Sequence, residues 1–562
     1  MLRDLLSVSI MLVALAGCPG GGGGLGDACG GNDDCDSALQ CLSGACAKRC
    51  MRAPECGDGF SCDEDGICVP AHKQPGDKCQ SEVECEASLT CRINGAEVSD
   101  ENHRLLATCR SETAAHSAGD PCEVDLDCRR GACDLGHCVD LCQMERDCPD
   151  GSGCVTIPRV AVRGGQYAGC LPNHATLTWT IPMTSPSGDV LLPVPFGAES
   201  AQLVMSVEDP SQEVGASTVL DPCGCTRYQV PCPFGAPADN QICTDVVAAD
   251  QYYSQPGPED GSGSSSEPGG TGSDGDDLCG PNTCKKDQGS SLANRIRHLP
   301  AFGRSVLLMP SIPRPGELKK PGAYQIEVSS FWPTGAPGTA VPHVTAVVRM
   351  GTGNTFDLHF FFLDLSEHPC SNPGDPALSA ATVGADYFQG AFLGSLSEVF
   401  RRVGMGIGNK TYEDILDRPN LDSLDIADVG SLLALGKYAS GINVFFVRSL
   451  SPLGLAAFSP NPGPAGIAGT PESGIVIALD TLCYRRWDDI ARLTAHQLAR
   501  YMGLYHNVES RDPRQPPDAP VWQDLIDDSD TSSDNLMYFS EHPGITLSAG
   551  QREALGRSAV LQ

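Results

Sequence analysis

The sequence predicts a multidomain chain: disulfide-rich small modules, then an antiparallel β-sandwich, then an α/β domain. Three observations predict it. Residues 26–172 hold 20 cysteines in a visible repeat. Period-two apolar alternation, broken by Pro and Gly, dominates residues 175–340. Over residues 341–562, apolar runs of strand length alternate with stretches of helical period.

The chain has 562 residues with 71 acidic and 38 basic side chains, a formal net charge of −33. A balance this acidic excludes nucleic acid, or an anionic membrane surface, as a partner held by electrostatics.

The N-terminus reads as an export signal over residues 1–17. Arg3 precedes an apolar run from Leu5 to Leu15 that is too short to span a bilayer. Leu15-Ala16-Gly17-Cys18 resembles the bacterial lipobox. The resemblance implies cleavage before Cys18, lipidation of Cys18, and a Gly-rich tether over residues 18–25. The expected partner is then a membrane met through the lipid anchor, and the expected location is the cell envelope, at the outer membrane or cell surface. Pro19 favours the outer membrane, by resemblance to lipoprotein sorting rules. An ordinary signal peptide with an incidental Cys is the alternative, and Asp4 counts against the lipobox. No later segment is apolar enough to span a membrane.

Removing Cys18 from the 29 cysteines leaves 28, an even number, which with export points to disulfides. The repeat divides into modules at 26–72, 75–110 and 118–172. Each opens alike, at Gly26-Asp27, Gly76-Asp77 and Gly119-Asp120. Units this small need staples in place of a core, and spacing leaves their pairing open. C-x2-C pairs are absent, which argues against zinc knuckles here. The region is similar to the EGF- or Dickkopf-like modules of secreted proteins.

The sandwich reading rests on Thr176 to Ile181, Ala201 to Val207, Tyr324 to Phe331 and Val344 to Met350. An excursion holds Cys223, Cys225, Cys232, Cys243, Cys279 and Cys284. Within it, residues 254–277 are rich in Gly, Ser and Asp and are expected to be disordered.

In the last domain, strands are expected at Phe356 to Leu363, Ile442 to Val447 and Gly474 to Leu479, and helices at Tyr387 to Val403 and Arg486 to Tyr505. The second helix carries His496, Gln497, Arg500 and Gly503, with His506 just beyond it. These positions fit the outline H-E-x-x-H-x-x-G-x-x-H, with Gln497 at the general-base position and Arg500 at the second-ligand position. Downstream lie Asp534-Asn535-Leu536-Met537-Tyr538 and the tail Leu547 to Leu555. Together these motifs resemble the metzincins, and among them the pappalysin-like zinc proteases, over about two fifths of the chain. The resemblance implies that His496 and His506 are metal ligands, that Gly503 turns the chain, and that Met537 lies in a Met-turn beneath the site.

Gln497 has no basic oxygen, and losing a general base costs roughly 100- to 10,000-fold in rate. Arg500 has no lone pair to donate. A unit charge roughly 4 Å from another costs about 4 kcal/mol at an effective dielectric near 20, and a divalent ion suffers more. Three readings remain: a working protease, a weak metal site on His496 and His506, or a metal-free pseudoprotease with Arg500 paired to an acidic side chain. Asp512, Asp524, Asp527 and Glu509 are candidate substitute ligands. By itself His496 is an ordinary helix histidine and Met537 an ordinary core methionine. Ser451 to Pro464 is a loop with no phosphate-binding signature, His542 a surface residue, and Asn409-Lys-Thr411 an incidental sequon.

The expected function is that of a membrane-anchored surface lipoprotein with an inactive metzincin-like domain, acting in binding or envelope structure. A protein or peptide is the expected ligand and no cofactor is expected. The alternative is an active zinc metalloendopeptidase with a rearranged site.

Overall fold

The structure is a computed structural model. It describes most of residues 29–229 and 304–562. Residues 1–28, 230–303, 311–320, 366–375, 508–525 and shorter stretches lie outside the described residues. Cys18, its tether and segment 254–277 therefore fall outside. Among the described residues no helix is long and apolar enough to cross a membrane.

The cysteine-rich region is built from four-cysteine hairpins. Bridges run Cys29–Cys41 and Cys35–Cys46, Cys79–Cys91 and Cys85–Cys109, Cys122–Cys133 and Cys128–Cys138, Cys142–Cys154 and Cys148–Cys170. In each of these units the first cysteine pairs with the third and the second with the fourth. The expected module over 118–172 is thus two units, and the repeat is half as long as spacing suggested. The physical reason lies in the strands. The third and fourth cysteines are direct cross-strand partners: Cys41 with Cys46, Cys62 with Cys68, Cys91 with Cys109, Cys133 with Cys138 and Cys154 with Cys170. Cross-strand partners project from one face, and two bridges staple the incoming segment across it. Each closed loop is worth about 3 kcal/mol of chain entropy.

The repeated Gly-Asp opening also has a structural reason. Asp77 Oδ2 accepts from Gln74 N at 2.9 Å, and Asp120 Oδ2 from Ser117 N at 2.7 Å. Gly76 and Gly119 take the positive φ that each turn requires, +91° and +86°.

The sandwich has eight described strands: β1 Ala175–Ile181, β2 Ser187–Val194, β3 Ala198–Ser206, β4 Glu213–Leu220, β5 Thr226–Gln229, β6 Arg304–Met309, β7 Gly322–Phe331 and β8 His343–Met350. One antiparallel sheet runs β1-β8-β3-β6 and the other β2-β7-β4-β5. The sandwich therefore extends past residue 340 to Met350. Strand β8 is buried on both faces: Val344, Ala346 and Val348 enter the sandwich core, while Val347 enters the next core. A strand covered on both sides reads as a continuous apolar run, which hides the boundary.

The later cysteine units share the sandwich core. Leu135, Leu141, Ile157 and Tyr167 pack in one cluster with Val190, Leu192 and Ile326. The tip of hairpin 132–139 abuts β1, where a Cβ on Gly136 would lie 2.5 Å from Trp179 Cβ. Leu135 at that tip takes φ +55° while buried. The left-handed backbone costs about 1 kcal/mol, and burying a Leu side chain returns about 2 kcal/mol.

The last domain is a mixed sheet of β9 Thr355–Leu363, β10 Gly406–Ile415, β11 Ile442–Val447, β12 Ala457–Phe458 and β13 Ile475–Ala478, in order β10-β9-β11-β13-β12. All pairs are parallel except that of edge strand β12. Alternation sorts the faces. Phe356, Leu358, Phe360, Phe362, Val444 and Phe446 point to one core, and Phe361, Leu363, Phe445 and Val447 to the other. Helices α1 Leu393–Arg402, α2 Trp487–Tyr501 and α3 Ala549–Gly556 pack in the first core. The motif helix is therefore held against the sheet by Ile490, Ala491, Ala495, Leu498 and Ala499.

Candidate functional site

The site is assembled by three backbone features. The first is helix α2, whose apolar face is buried while His496, Gln497 and Arg500 lie half-buried beyond it. His496 and Arg500 are four residues apart and share a helix face.

The second is the helix end. The α-helix stops at Tyr501, not at Tyr505 as the apolar pattern suggested. The pattern runs on past the helix because Met502 and Leu504 bury the turn itself. Gly503 N donates to Arg500 O at 2.9 Å and Leu504 N to Ala499 O at 3.0 Å, the paired bonds of a Schellman turn. Gly503 takes φ +109°. The reversal brings the His506 ring back to 5.2 Å from the His496 ring, centroid to centroid.

The third is the turn Asn535–Tyr538, which hydrogen-bonds to the helix and to the loop beyond it. His496 Nδ1 donates to Leu536 O at 2.7 Å, and Asn507 N to Met537 O at 3.1 Å. Met537 is fully buried. The turn is anchored by Asn535, whose Nδ2 donates to Gln551 Oε1 on α3 at 2.8 Å and whose Oδ1 accepts from Met537 N at 2.9 Å. Sequence reasoning named the segments that hold Asn535, Leu536 and Gln551 but gave no role to either amide or to the Leu536 carbonyl. A backbone carbonyl leaves no mark in sequence, while two amides flanking apolar runs were a readable signal.

The proton positions follow from the partners. A carbonyl only accepts, so His496 Nδ1 carries a proton. Metal-binding histidines are commonly oriented by a bond of this kind. Arg500 Nη1 donates to His506 Nε2 at 2.5 Å, with Nδ1 at 3.4 Å. A guanidinium only donates, so His506 Nε2 spends its lone pair on Arg500. The substitute ligands Glu509, Asp512, Asp524 and Asp527 lie outside the described residues, as does His542. Gln497 makes no side-chain hydrogen bond among the described residues.

A tetrahedral zinc needs neutral or anionic donors with lone pairs. Of the three motif positions, one is a guanidinium and another is already its acceptor, so these residues do not fit the ion. Among the described residues, the groups of three His, Cys, Asp or Glu donor atoms within 4.8 Å are all half-cystines, whose sulfurs are bonded to one another in pairs.

The sandwich braces the motif helix. Gln202, buried on β3, donates to Gly463 O at 3.3 Å and accepts from Ala465 N at 3.0 Å. Gly463 lies against the Tyr501 ring, and Tyr501 Oη donates to Pro464 O at 2.6 Å. Burial pushes the Tyr501 hydroxyl well above the usual phenol range. A second link is the ion pair Arg304–Glu472 at 3.0 Å. Burial raises the Glu472 carboxyl to about 7, with Arg304 opposing the rise.

The chain matches no known family and no curated protein.

Proposed function

We propose that this chain is an exported lipoprotein, anchored at the cell envelope through Cys18, whose last domain is a metzincin-like pseudoprotease that binds and does not hydrolyse. The observation that carries the reading is the hydrogen bond from Arg500 to His506. It uses the donor atom a metal would need, at the position where a second ligand would stand. Gln497 beside it has no carboxylate to take a proton from water.

Several features support the metzincin-like part. A mixed sheet precedes the helix that carries the motif. Gly503 ends that helix with the chain reversal the motif calls for, and Met537 is buried in a turn that hydrogen-bonds to His496 and to Asn507. Fold does not fix activity, so the functional part rests on the side chains. Half-buried Gln497, beside His496, presents an amide suited to a peptide or protein ligand. Cysteine units that share the sandwich core make a stapled body beside this domain, a form suited to envelope structure.

The test is elemental analysis of the purified chain beside a Gln497→Glu/Arg500→His double substitution, with a peptide-library cleavage assay on both. The expected result is no zinc and no cleavage in the natural chain, with zinc regained in the double substitution. Near-stoichiometric zinc with cleavage in the natural chain would establish the metalloendopeptidase instead. Anchorage is tested separately: Cys18→Ser is expected to move the protein from the membrane fraction to the soluble one.

A further inference from the structure

We infer that Arg500 acts as a built-in structural cation, tying the motif's third histidine to the motif helix in the way a metal ion would. The inference rests on the pseudoprotease reading and goes further, because it gives the substitution a positive role. Three segments meet at the site: helix α2, the loop carrying His506 and Asn507, and the turn Asn535–Tyr538. Hydrogen bonds close all three sides of this triangle. His496 to Leu536 O, at 2.7 Å, joins helix to turn. Asn507 N to Met537 O, at 3.1 Å, joins loop to turn. Arg500 to His506 Nε2, at 2.5 Å, joins helix to loop.

A metal bound by both histidines would supply that third side. Arg500 supplies it with a charge that neither chelators nor pH near neutrality can remove, since a guanidinium is not deprotonated in proteins. The same charge repels a divalent ion from the two imidazoles, so one side chain both replaces the ion and excludes it. His496 keeps its ring oriented by Leu536 O. That orientation lets a suitable side chain at position 500 restore a metal site.

The test is thermal unfolding of the full chain, as natural protein, Arg500→Met and Arg500→His, each in EDTA and in excess zinc, with bound zinc measured by elemental analysis. Methionine keeps the length and loses the donors. The natural protein is expected to melt at one temperature in both conditions and to hold no zinc. Arg500→Met is expected to melt about 5 °C lower in both. Arg500→His is expected to be equally low in EDTA, and to recover on binding about one zinc per chain. Should Arg500→Met fail to fold, the zinc-dependent recovery of Arg500→His carries the test. An Arg500→Met protein as stable as the natural one, or an Arg500→His protein that takes up no zinc, would overturn the inference while leaving a zinc-free natural chain as a pseudoprotease. Zinc bound by the natural chain, raising its melting temperature, would overturn both.

Discussion

Asn535 Nδ2 donates to Gln551 Oε1 at 2.8 Å, with both residues buried. The same Gln551 oxygen accepts from Ser548 N at 3.0 Å, closing the capping box that starts α3. One amide therefore sets both the last helix and the turn that accepts from His496. Gln551→Leu removes that acceptor and leaves buried donors unpaired. The expected loss is about 2 kcal/mol of stability, read from denaturant midpoints. A double-mutant cycle with Asn535→Ala is expected to show coupling, and strict additivity would mean that the two residues act independently.

The Glu472 carboxyl titrates near 7, against an ordinary 4.5, because it is buried, and Arg304 beside it only partly offsets the burial. The folded chain then binds a proton that the unfolded chain has lost between those two values. Stability from this group is full below about 4.5, falls as pH rises toward 7 and is level above. The span is on the order of 3 kcal/mol. Glu472→Gln is expected to flatten this part of the pH–stability curve between about pH 5 and 8. An unchanged slope in the variant would place the pH dependence elsewhere.

Two glycines separate strain from contact. Gly136 and Gly151 both have positive φ, +74° and +83°. A Cβ at Gly151 meets nothing within 4 Å, whereas one at Gly136 meets Trp179 Cβ at 2.5 Å. Gly151→Ala is expected to cost about 1 kcal/mol from backbone strain alone. Gly136→Ala is expected to cost roughly 3 kcal/mol, because overpacking adds to the strain. Calorimetry checks both, and equal losses would show that the hairpin tip does not bear on the sandwich.

Gly503→Ala is expected to cost about 1–2 kcal/mol by forcing a side chain into the left-handed turn. It is also expected to displace His506. The imidazole NMR signals of His506 should shift while those of His359, held in the sheet by Thr411 and Ser440, stay in place. A stationary His506 signal would mean that the loop does not depend on the glycine.

Much of this protein is written locally. Strands β9, β11 and β13 are largely apolar over their lengths, so their residence at the centre of a sheet is legible from residue order alone. Helix α2 is legible from its period, and the repeat of cysteines from counting. The Leu135–Gly136 tip is not, because a Leu in a left-handed turn violates local preference and is held there only by the sandwich core.

Sequence by itself determined the kinds of element, their order, and the presence of Gln497 and Arg500, whose side chains can serve neither as a base nor as a metal ligand. Those are properties of single residues and short periods, and they survive in one dimension. Tertiary structure decided the disulfide pairing, the sharing of one core between cysteine units and sandwich, and the contact between Arg500 and His506. Each of these depends on which distant segments meet. Spacing permits several cysteine pairings, yet only the strand register puts Cys133 opposite Cys138 and leaves their bridges to run to Cys122 and Cys128. Likewise, nothing in the order of residues says that Arg500 reaches His506. That contact exists because Gly503 reverses the chain and the Asn535–Tyr538 turn holds both sides of the reversal in place.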